Sequence, residues 1–401
     1  MHSRDIQDIA RWLTREGVSG LSETDLLARF VSRCEEAGLK LSRAMFLIDT
    51  LHPVFEGRAY QWRDEWSDVR VVEYARTREG NAAETWRRTT FYALEQSGQH
   101  DLRINLRDTS AIGIERVQDF VNDGHTDYLA FVQPVYPDAV IGELEGIYSH
   151  WVTRDPSGFS EEQLKALRTL VPALALAMKS ASLFRLVKTV AEVYLGRDPA
   201  RRVLSGKIIR GVAEQITAVL WFSDLRNFTA ISERHPASVV LPFLNDYTGI
   251  VLSAIHQNGG DVLKLMGDGV LAMFPADDPK AACAAALAAE RQLREAEREL
   301  TARRSAEGSP ASVLTVALHF GDVHYGNVGS DERLDFTVIG PAVNELSRIS
   351  GMCRAVDRTL LVSSDFRDAA PDPDRFVLAG RFALKGVAAA QLLYTLLDDT
   401  F

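Results

Sequence analysis

Two acidic residues stand where short apolar runs end. Asp224 follows the apolar run 216–222, which predicts a buried strand, and Asp268 lies in a Gly-Asp-Gly turn. That turn separates the apolar stretches Val262–Met266 and Val270–Phe274, a pattern typical of a β-hairpin. Taken singly, Asp224 is equally explained as a helix cap and Asp268 as a turn residue. Together, carboxylates at two strand ends can share divalent cations, which prefer oxygen ligands.

A lysine interrupts the first strand of this hairpin. Strict alternation places Val262, Lys264 and Met266 on one face, with Leu263 and Leu265 on the other. Lysine in a half-buried strand is usually an edge residue that reaches water. The alternative is a fixed hydrogen-bond donor, and the strand alone does not decide between the two.

A later helix presents an amide and a guanidinium together. After a short predicted strand at 336–339, Pro341 suits the first helical position and Gly351 suits the stop. Asn344 and Arg348 are four residues apart, so both project from one face. Such a pair can bind anions and hydroxyl groups, or it can simply be a solvated face.

These segments, in this order, resemble the class III adenylyl and guanylyl cyclase domain over about residues 205–398. The similarity extends to LHFGDVHYGNVGS (318–330) and LKGV (384–387). The resemblance implies an α+β, ferredoxin-like domain that converts ATP to 3′,5′-cyclic AMP and pyrophosphate. Asp224 and Asp268 would hold two Mg²⁺ or Mn²⁺ ions per active site. These ions would promote attack of the ribose 3′-hydroxyl on the α-phosphorus.

The resemblance also implies a role for each remaining candidate. Asn344 would orient the ribose, and Arg348 would meet the charge that develops on the α-phosphate. Lys264 would donate to adenine N1, and Thr337 would accept from the N6 amine. Guanine presents the reverse pattern, and guanylyl enzymes usually carry Glu at the Lys264 position, so ATP is favoured over GTP.

The phosphates would contact a turn and the late LKGV motif. The residues concerned are Leu225, Arg226, Asn227, Phe228 and Lys385. Two positions depart from the family pattern: Asn227 stands where Gly is common, and Pro341 stands where Asp or Asn often follows the glycine. The resemblance further implies a homodimer whose active sites each combine metal ligands from one protomer with base-reading and transition-state residues from the other.

The N-terminal half resembles a GAF domain between residue 20 and about residue 185. The likeness rests on two late apolar segments, LAFVQPVY and GELEGIYSHWV, which lead into a helix. Such domains bind small molecules or dimerise, so an unidentified small-molecule ligand is an expected partner. We therefore predict a sensor domain at 1–160, a helical linker at 161–204 and the catalytic domain at 205–401.

The linker begins with a capping box formed by Ser160 and Gln163. Apolar residues then recur at steps of three and four from Leu164, with one slip before Phe184. Pro172 is a candidate kink. This is either one amphipathic helix packed on its own domain or a parallel two-helix stalk that joins two protomers. The polar stretch GRDPARRVLSGK from residue 196 is predicted to be a loop.

Composition narrows the remaining choices. A formal net charge of −10 disfavours nonspecific nucleic-acid binding, which needs clustered cations. Three dispersed cysteines fit a reducing compartment. No signal peptide and no apolar run near the ~18 residues of a membrane span are found, so we expect a cytoplasmic protein without membrane insertion. Alternatives are a guanylate cyclase, an inactive cyclase-like module, and a diguanylate cyclase suggested only by residues 259–261.

Overall fold

The chain divides into two units, Met1–Val190 and Ala191–Phe401. A computed structural model describes residues 1–50, 52, 54–74, 80–108, 117–134, 146–384, 386 and 390–397. Both units combine helices with a mainly antiparallel sheet, so the predicted α+β class is confirmed. The division falls inside the stretch predicted as a linker.

The first unit is built on a six-stranded sheet in the order β3-β2-β1-β6-β5-β4. Its strands are β1 (Arg43–Asp49), β2 (Gly57–Arg63), β3 (Arg70–Tyr74), β4 (Asp101–Asn105), β5 (Asp127–Pro134) and β6 (Gly146–Thr153). Its helices are α1 (Ser3–Ser19), α2 (Glu23–Glu36), α3 (Gly80–Arg87), α4 (Thr90–Ser97), α5 (Val117–Asn122) and most of α6 (Glu161–Leu195). One core lies between the sheet and α1, α2 and α6, and a smaller one lies against α4 and α5.

Helix α6 has two different halves. The capping box forms as predicted, since Ser160 N donates to Gln163 Oε1 at 2.9 Å and Gln163 N donates to Ser160 Oγ at 3.3 Å. Leu164 to Met178 contribute an apolar face to the core of the first unit. The helix continues through Pro172. Beyond it, Phe184 and Tyr194 are 76% and 81% exposed. The first half therefore packs on its own domain, and the second half carries apolar side chains with no such cover.

The second unit contains an eight-stranded sheet. Its strands are β7 (Ala213–Leu225), β8 (Asp261–Met266), β9 (Gly269–Pro275), β10 (Leu314–Gly329), β11 (Leu334–Ile339), β12 (Leu360–Ser363), β13 (Phe376–Phe382) and β14 (Gln391–Leu396). Its helices are α7 (Arg197–Leu204), α8 (Phe228–Arg234), α9 (Ala237–Gln257), α10 (Pro279–Ala306), α11 (Pro341–Ala355) and α12 (Ser364–Ala369).

The predicted ferredoxin-like arrangement is present in this sheet. The elements β7-α9-β8-β9-α10-β10 occur in this order along the chain, with the short helix α8 between β7 and α9, and their strands lie in the order β10-β7-β9-β8. Helices α9, α10 and α12 cover one face of the sheet. Helix α11 covers the other face. Because α11 lies across β7 and β10, it can place side chains beside residues of both strands.

Two elements differ from the sequence-based prediction. The segment after residue 196 is helical (α7) rather than a loop, because Ala200 is buried and Arg202 pairs with Asp198 one turn earlier. Helix α11 does not stop at Gly351 but ends at Ala355. Its buried residues Leu346, Ile349 and Cys353 continue the apolar spacing past the glycine, so core packing outweighs the helix-breaking tendency of one Gly.

Helices α6 and α9 are each long and apolar enough to cross a membrane, by length and composition alone. Neither helix contains an uninterrupted apolar run of that length, so the search for such runs in the sequence does not detect them. Each of them lays one face into a core of its own unit. Core helices of globular domains meet the same two criteria.

Candidate active site

The structure brings the two predicted metal ligands together. Asp224 lies at the end of β7, and Asp268 lies in the tight turn between β8 and β9. Strand β7 pairs with β9 through Ser223 and Val270, which places the turn beside the end of β7. The pKa of Asp224 is raised to about 6, first by burial, then by hydrogen-bonding contact with Asp268 and by its negative charge. Two carboxylates held this close form a donor set that fits a divalent cation, which would relieve their repulsion.

Arg354 is a site residue that the sequence analysis missed. Its Nη2 donates to Asp224 Oδ2 at 2.9 Å and to the Leu225 carbonyl at 3.1 Å. The positive charge of Arg354 opposes the rise in the pKa of Asp224. It was missed because α11 was expected to end at Gly351. The signal that could have found it is the spacing of Leu346, Ile349 and Cys353.

Lys264 on β8 lies beside β11, the strand that carries Thr337. Lys264 Nζ forms an ion pair with Asp335 on β11, and both side chains are 45% exposed. Asp335 is two residues before Thr337, so the two share one face of β11. The strict alternation expected for β8 is broken by a bulge between Val262 and Lys264. Asp335 is the second residue that the sequence analysis missed, because its side-chain contact with Lys264 joins two strands that are not neighbours in the sheet and is decided by the tertiary fold.

The turn after β7 explains one departure from the family pattern. Asn227 has φ of 57°, in the left-handed region that Gly and Asn tolerate better than other residues. Asn can therefore replace the glycine that is common there. Arg226 does not fit the predicted phosphate contact: its N–H donates to the Val313 carbonyl at 2.9 Å. Its side chain binds the Asp357 carboxylate at 2.8 Å and the Arg358 carbonyl at 3.2 Å.

The remaining predicted phosphate contacts are three other positions around this turn and Lys385. The Leu225 N–H interacts with the Asp224 carboxylate, which leaves Asn227 and Phe228 as the turn positions whose N–H groups have no partner among the described residues. Lys385 lies outside the residues that the structure describes.

Asn344 and Arg348 are not brought to the carboxylates of their own protomer. Both side chains are exposed on α11, and within the described part of the chain neither forms a side-chain hydrogen bond or ion pair. Arg354, six residues after Arg348, points about 120° away around the helix axis. The guanidinium that reaches Asp224 within one protomer is therefore Arg354.

The first unit contains a separate cavity of about 630 Å³. Its polar lining includes Asp49, Glu56 and Glu95 together with Arg87. Tyr74 donates to Asp49, and Tyr148 donates to Glu95. Burial, followed by the neighbouring Asp49, raises the pKa of Tyr74 well above its usual value. The volume of this cavity falls within the range of about 300–1,000 Å³ that is usual for small-molecule pockets.

Comparison with known families identifies the second unit. Residues 212–396 match the family of adenylate and guanylate cyclase catalytic domains. The C-terminal unit is a class III cyclase domain. Cyclase domains of this class bind nucleotides, act as dimers and use divalent metal ions.

Relatives of the cyclase domain include an adenylate cyclase of Anabaena cylindrica, 32% identical over 170 residues, which are 42% of this chain and 34% of the relative. Adenylate cyclase 1 of Rhizobium meliloti is 29% identical over 210 residues, which are 50% of this chain and 31% of the relative. The chain thus spans about a third of the length of these relatives.

Solved structures similar to the cyclase domain include both substrate types. The adenylyl cyclase CyaB from P. aeruginosa is 25% identical with a TM-score of 0.42, covering 47% of this chain and 97% of that one. The guanylyl cyclase Cya2 is 27% identical with a TM-score of 0.42, covering 47% and 95%.

Proposed function

We propose that this chain is an adenylate cyclase that converts ATP to 3′,5′-cyclic AMP and pyrophosphate. The observation that carries the proposal is the close approach of the Asp224 and Asp268 carboxylates at one end of the sheet. The nearby Asp268 carboxylate makes ionisation of Asp224 more costly, and a divalent cation bound between the two would remove that cost. In a cyclase domain, such a pair can bind the divalent metal ions that catalysis requires.

Asp224 and Asp268 would hold two Mg²⁺ or Mn²⁺ ions, which supply activation of the ribose 3′-hydroxyl and charge neutralisation at the phosphates. Arg354 keeps the Asp224 carboxylate in place by a hydrogen bond of 2.9 Å. The N–H groups of Asn227 and Phe228 are the turn donors that can contact phosphate oxygens. Asn344 would orient the ribose, and Arg348 would stabilise the charge on the α-phosphate.

The choice of ATP rests on Lys264 and Thr337. The ammonium of Lys264 can donate to adenine N1, and the Thr337 hydroxyl can accept from the N6 amine. Asp335 accepts from Lys264 and so limits where the ammonium can lie. Guanine carries a donor at N1, which would face another donor in Lys264. One opposed donor pair of this kind costs roughly 1–3 kcal/mol once bound substrate shields it from water.

A homodimer would complete the active site. The side chains of Arg348 and Asn344 meet no hydrogen-bond or ion-pair partner among the described residues, so they are available to a substrate held by the metal ligands of a second protomer. The second half of α6 has exposed apolar side chains at Phe184, Val187 and Tyr194. Together with the heptad-like spacing, these support a parallel helix pair between protomers in this half. We propose that the first unit regulates catalysis through this pair, in response to a small molecule in its cavity of about 630 Å³.

Product analysis tests the proposed activity. The purified chain with Mn²⁺ should form cyclic AMP and pyrophosphate from ATP, and much less cyclic GMP from GTP. Asp224→Asn should abolish turnover because it removes a metal-binding charge, whereas Asp277→Asn, at an exposed carboxylate, should not. Cyclic GMP as the main product would reject the assignment of Lys264. No product from either nucleotide would favour an inactive cyclase-like module.

A further inference from the structure

A second group of potential metal ligands lies in the cyclase domain away from the carboxylate pair. It consists of His319 on β10, Glu345 on α11 and Asp365 on α12. One ligand atom of each residue lies within 4.8 Å of the other two. All three side chains line a cavity of about 350 Å³. The roles proposed above do not involve these residues.

The histidine of this group is buried and has one ring nitrogen to spare. His319 is 3% exposed, and its Nδ1 shares a hydrogen bond of 2.9 Å with Ser363 Oγ. When the ring proton lies on Nδ1, this bond leaves the Nε2 lone pair for a ligand. Gly321 keeps the space beside it open, because a Cβ at position 321 would lie 3.0 Å from Nε2.

Glu345 is the second sign of a ligand. Its Oε1 is buried and has no hydrogen-bond partner among the described residues. A buried carboxylate oxygen without a donor is costly unless a cation approaches it. Asp365 is exposed, so the group is open to ions from solvent.

We propose that His319, Glu345 and Asp365 bind one divalent transition-metal ion of the Zn²⁺ type. One imidazole nitrogen and two carboxylates suit Zn²⁺, Co²⁺ or Mn²⁺, whereas Mg²⁺ prefers oxygen alone. Ligands at 2.0–2.2 Å from a tetrahedral ion are about 3.4 Å apart. The three atoms therefore need to move together by little more than about 1 Å, and a water completes the coordination.

This site is distinct from the carboxylate pair. His319 is opposite Leu220 on β7, whereas Asp224 is opposite Thr315, four residues away on β10. Four residues of strand correspond to about 13 Å. Helix α11 reaches both places, with Glu345 near its beginning and Arg354 near its end. An ion bound to Glu345 would therefore fix α11 against β10 and α12. Because α11 also carries Asn344, the ion would fix the position of that residue too.

Metal titration of the full chain tests the proposal. The variant Asp224→Asn/Asp268→Asn removes the charges of the other expected metal site, so that binding there does not obscure the result. Titrated with Zn²⁺ or Co²⁺ in a calorimeter, it should bind one equivalent. Glu345→Gln or Asp365→Asn added to this variant should weaken binding at least tenfold, because each removes one charged ligand of three. Gly321→Ala should also weaken it, by narrowing the space beside Nε2.

The matched control is Asp368→Asn. Asp368 lies on the same helix as Asp365 and is exposed, and its one ion pair within the described part of the chain is with its neighbour Arg367 at 3.4 Å. This change should leave affinity and stoichiometry unchanged. Absence of a bound equivalent in the double variant would overturn the proposal. So would binding that is insensitive to both Glu345→Gln and Asp365→Asn, or that Asp368→Asn weakens equally. The titration measures no turnover, so its result does not depend on the proposed cyclase activity.

Discussion

Two inactive variants should restore activity when they are mixed, if each active site combines residues of two protomers. The variants are Asp224→Ala, which removes a metal ligand, and Arg348→Ala, which removes the proposed transition-state donor. Within one protomer, Asp224 is met by Arg354. Arg348 instead faces solvent without a partner among the described residues. If Arg348 acts in catalysis as proposed, the metal ions and substrate that it meets would be held by the partner protomer.

The expected recovery follows from counting sites. Arg348→Ala alone should lower kcat by roughly 10²–10³, the cost of removing one such donor. Asp224→Ala should lower it at least as far, because a metal ligand is lost. After random exchange, half of the dimers contain one copy of each variant, and one of the two sites in each is intact. Activity should then reach about a quarter of the wild-type value.

A matched mixture supplies the control. Asp224→Ala with Asp268→Ala should stay inactive, because both changes fall in the same half-site and every mixed dimer has two damaged pairs. Cyclic AMP formation would be measured at equal total protein after exchange, with mixed dimers confirmed by pull-down of one tagged variant. No recovery with Arg348→Ala despite confirmed exchange would refute shared sites, as would equal recovery in both mixtures.

Three further outcomes are expected. Asp335→Asn should lower kcat/KM for ATP about tenfold, because Lys264 loses its fixed position. The free energy of unfolding should change by less than about 1 kcal/mol, because this ion pair is half-exposed. Asp331→Asn, at an exposed carboxylate, is the control. Burial lowers the pKa of His150 to about 3 in the folded chain. Below pH 6.5 the unfolded chain therefore binds a proton at His150 that the folded chain does not bind, so the free energy of unfolding falls on acidification, by about 2 kcal/mol at pH 5. Urea unfolding should show this slope, and His150→Gln should reduce it. Phe184→Ser should weaken dimerisation at least tenfold in sedimentation experiments, since burying one Phe contributes about 1.5–3 kcal/mol.

Local sequence signals predicted several elements closely. The hairpin predicted around Asp268 forms as β8 and β9, and the capping box begins α6 where Ser160 and Gln163 indicated. These predictions succeeded because caps, turns and apolar spacing act within a few residues of the chain. The prediction that α11 ends at Gly351 was wrong, because contacts outside the local sequence decide where the helix ends. Its last turn is held by packing of Cys353 in the core, which the glycine at 351 did not reveal.

The chemistry of the candidate site was readable from the sequence because residue types and spacing are local properties. Asp224 at a strand end and Asp268 in a hairpin turn could be named without a fold. Their approach to one another was decided by the pairing of β7 with β9, which joins residues about 45 positions apart in the chain. Tertiary packing likewise brought Arg354 on α11 to Asp224, and Asp335 on β11 to Lys264 on β8. It also gathered His319, Glu345 and Asp365 from three separate elements. Such contacts have no signal in a short stretch of sequence, because they depend on how the whole sheet is ordered.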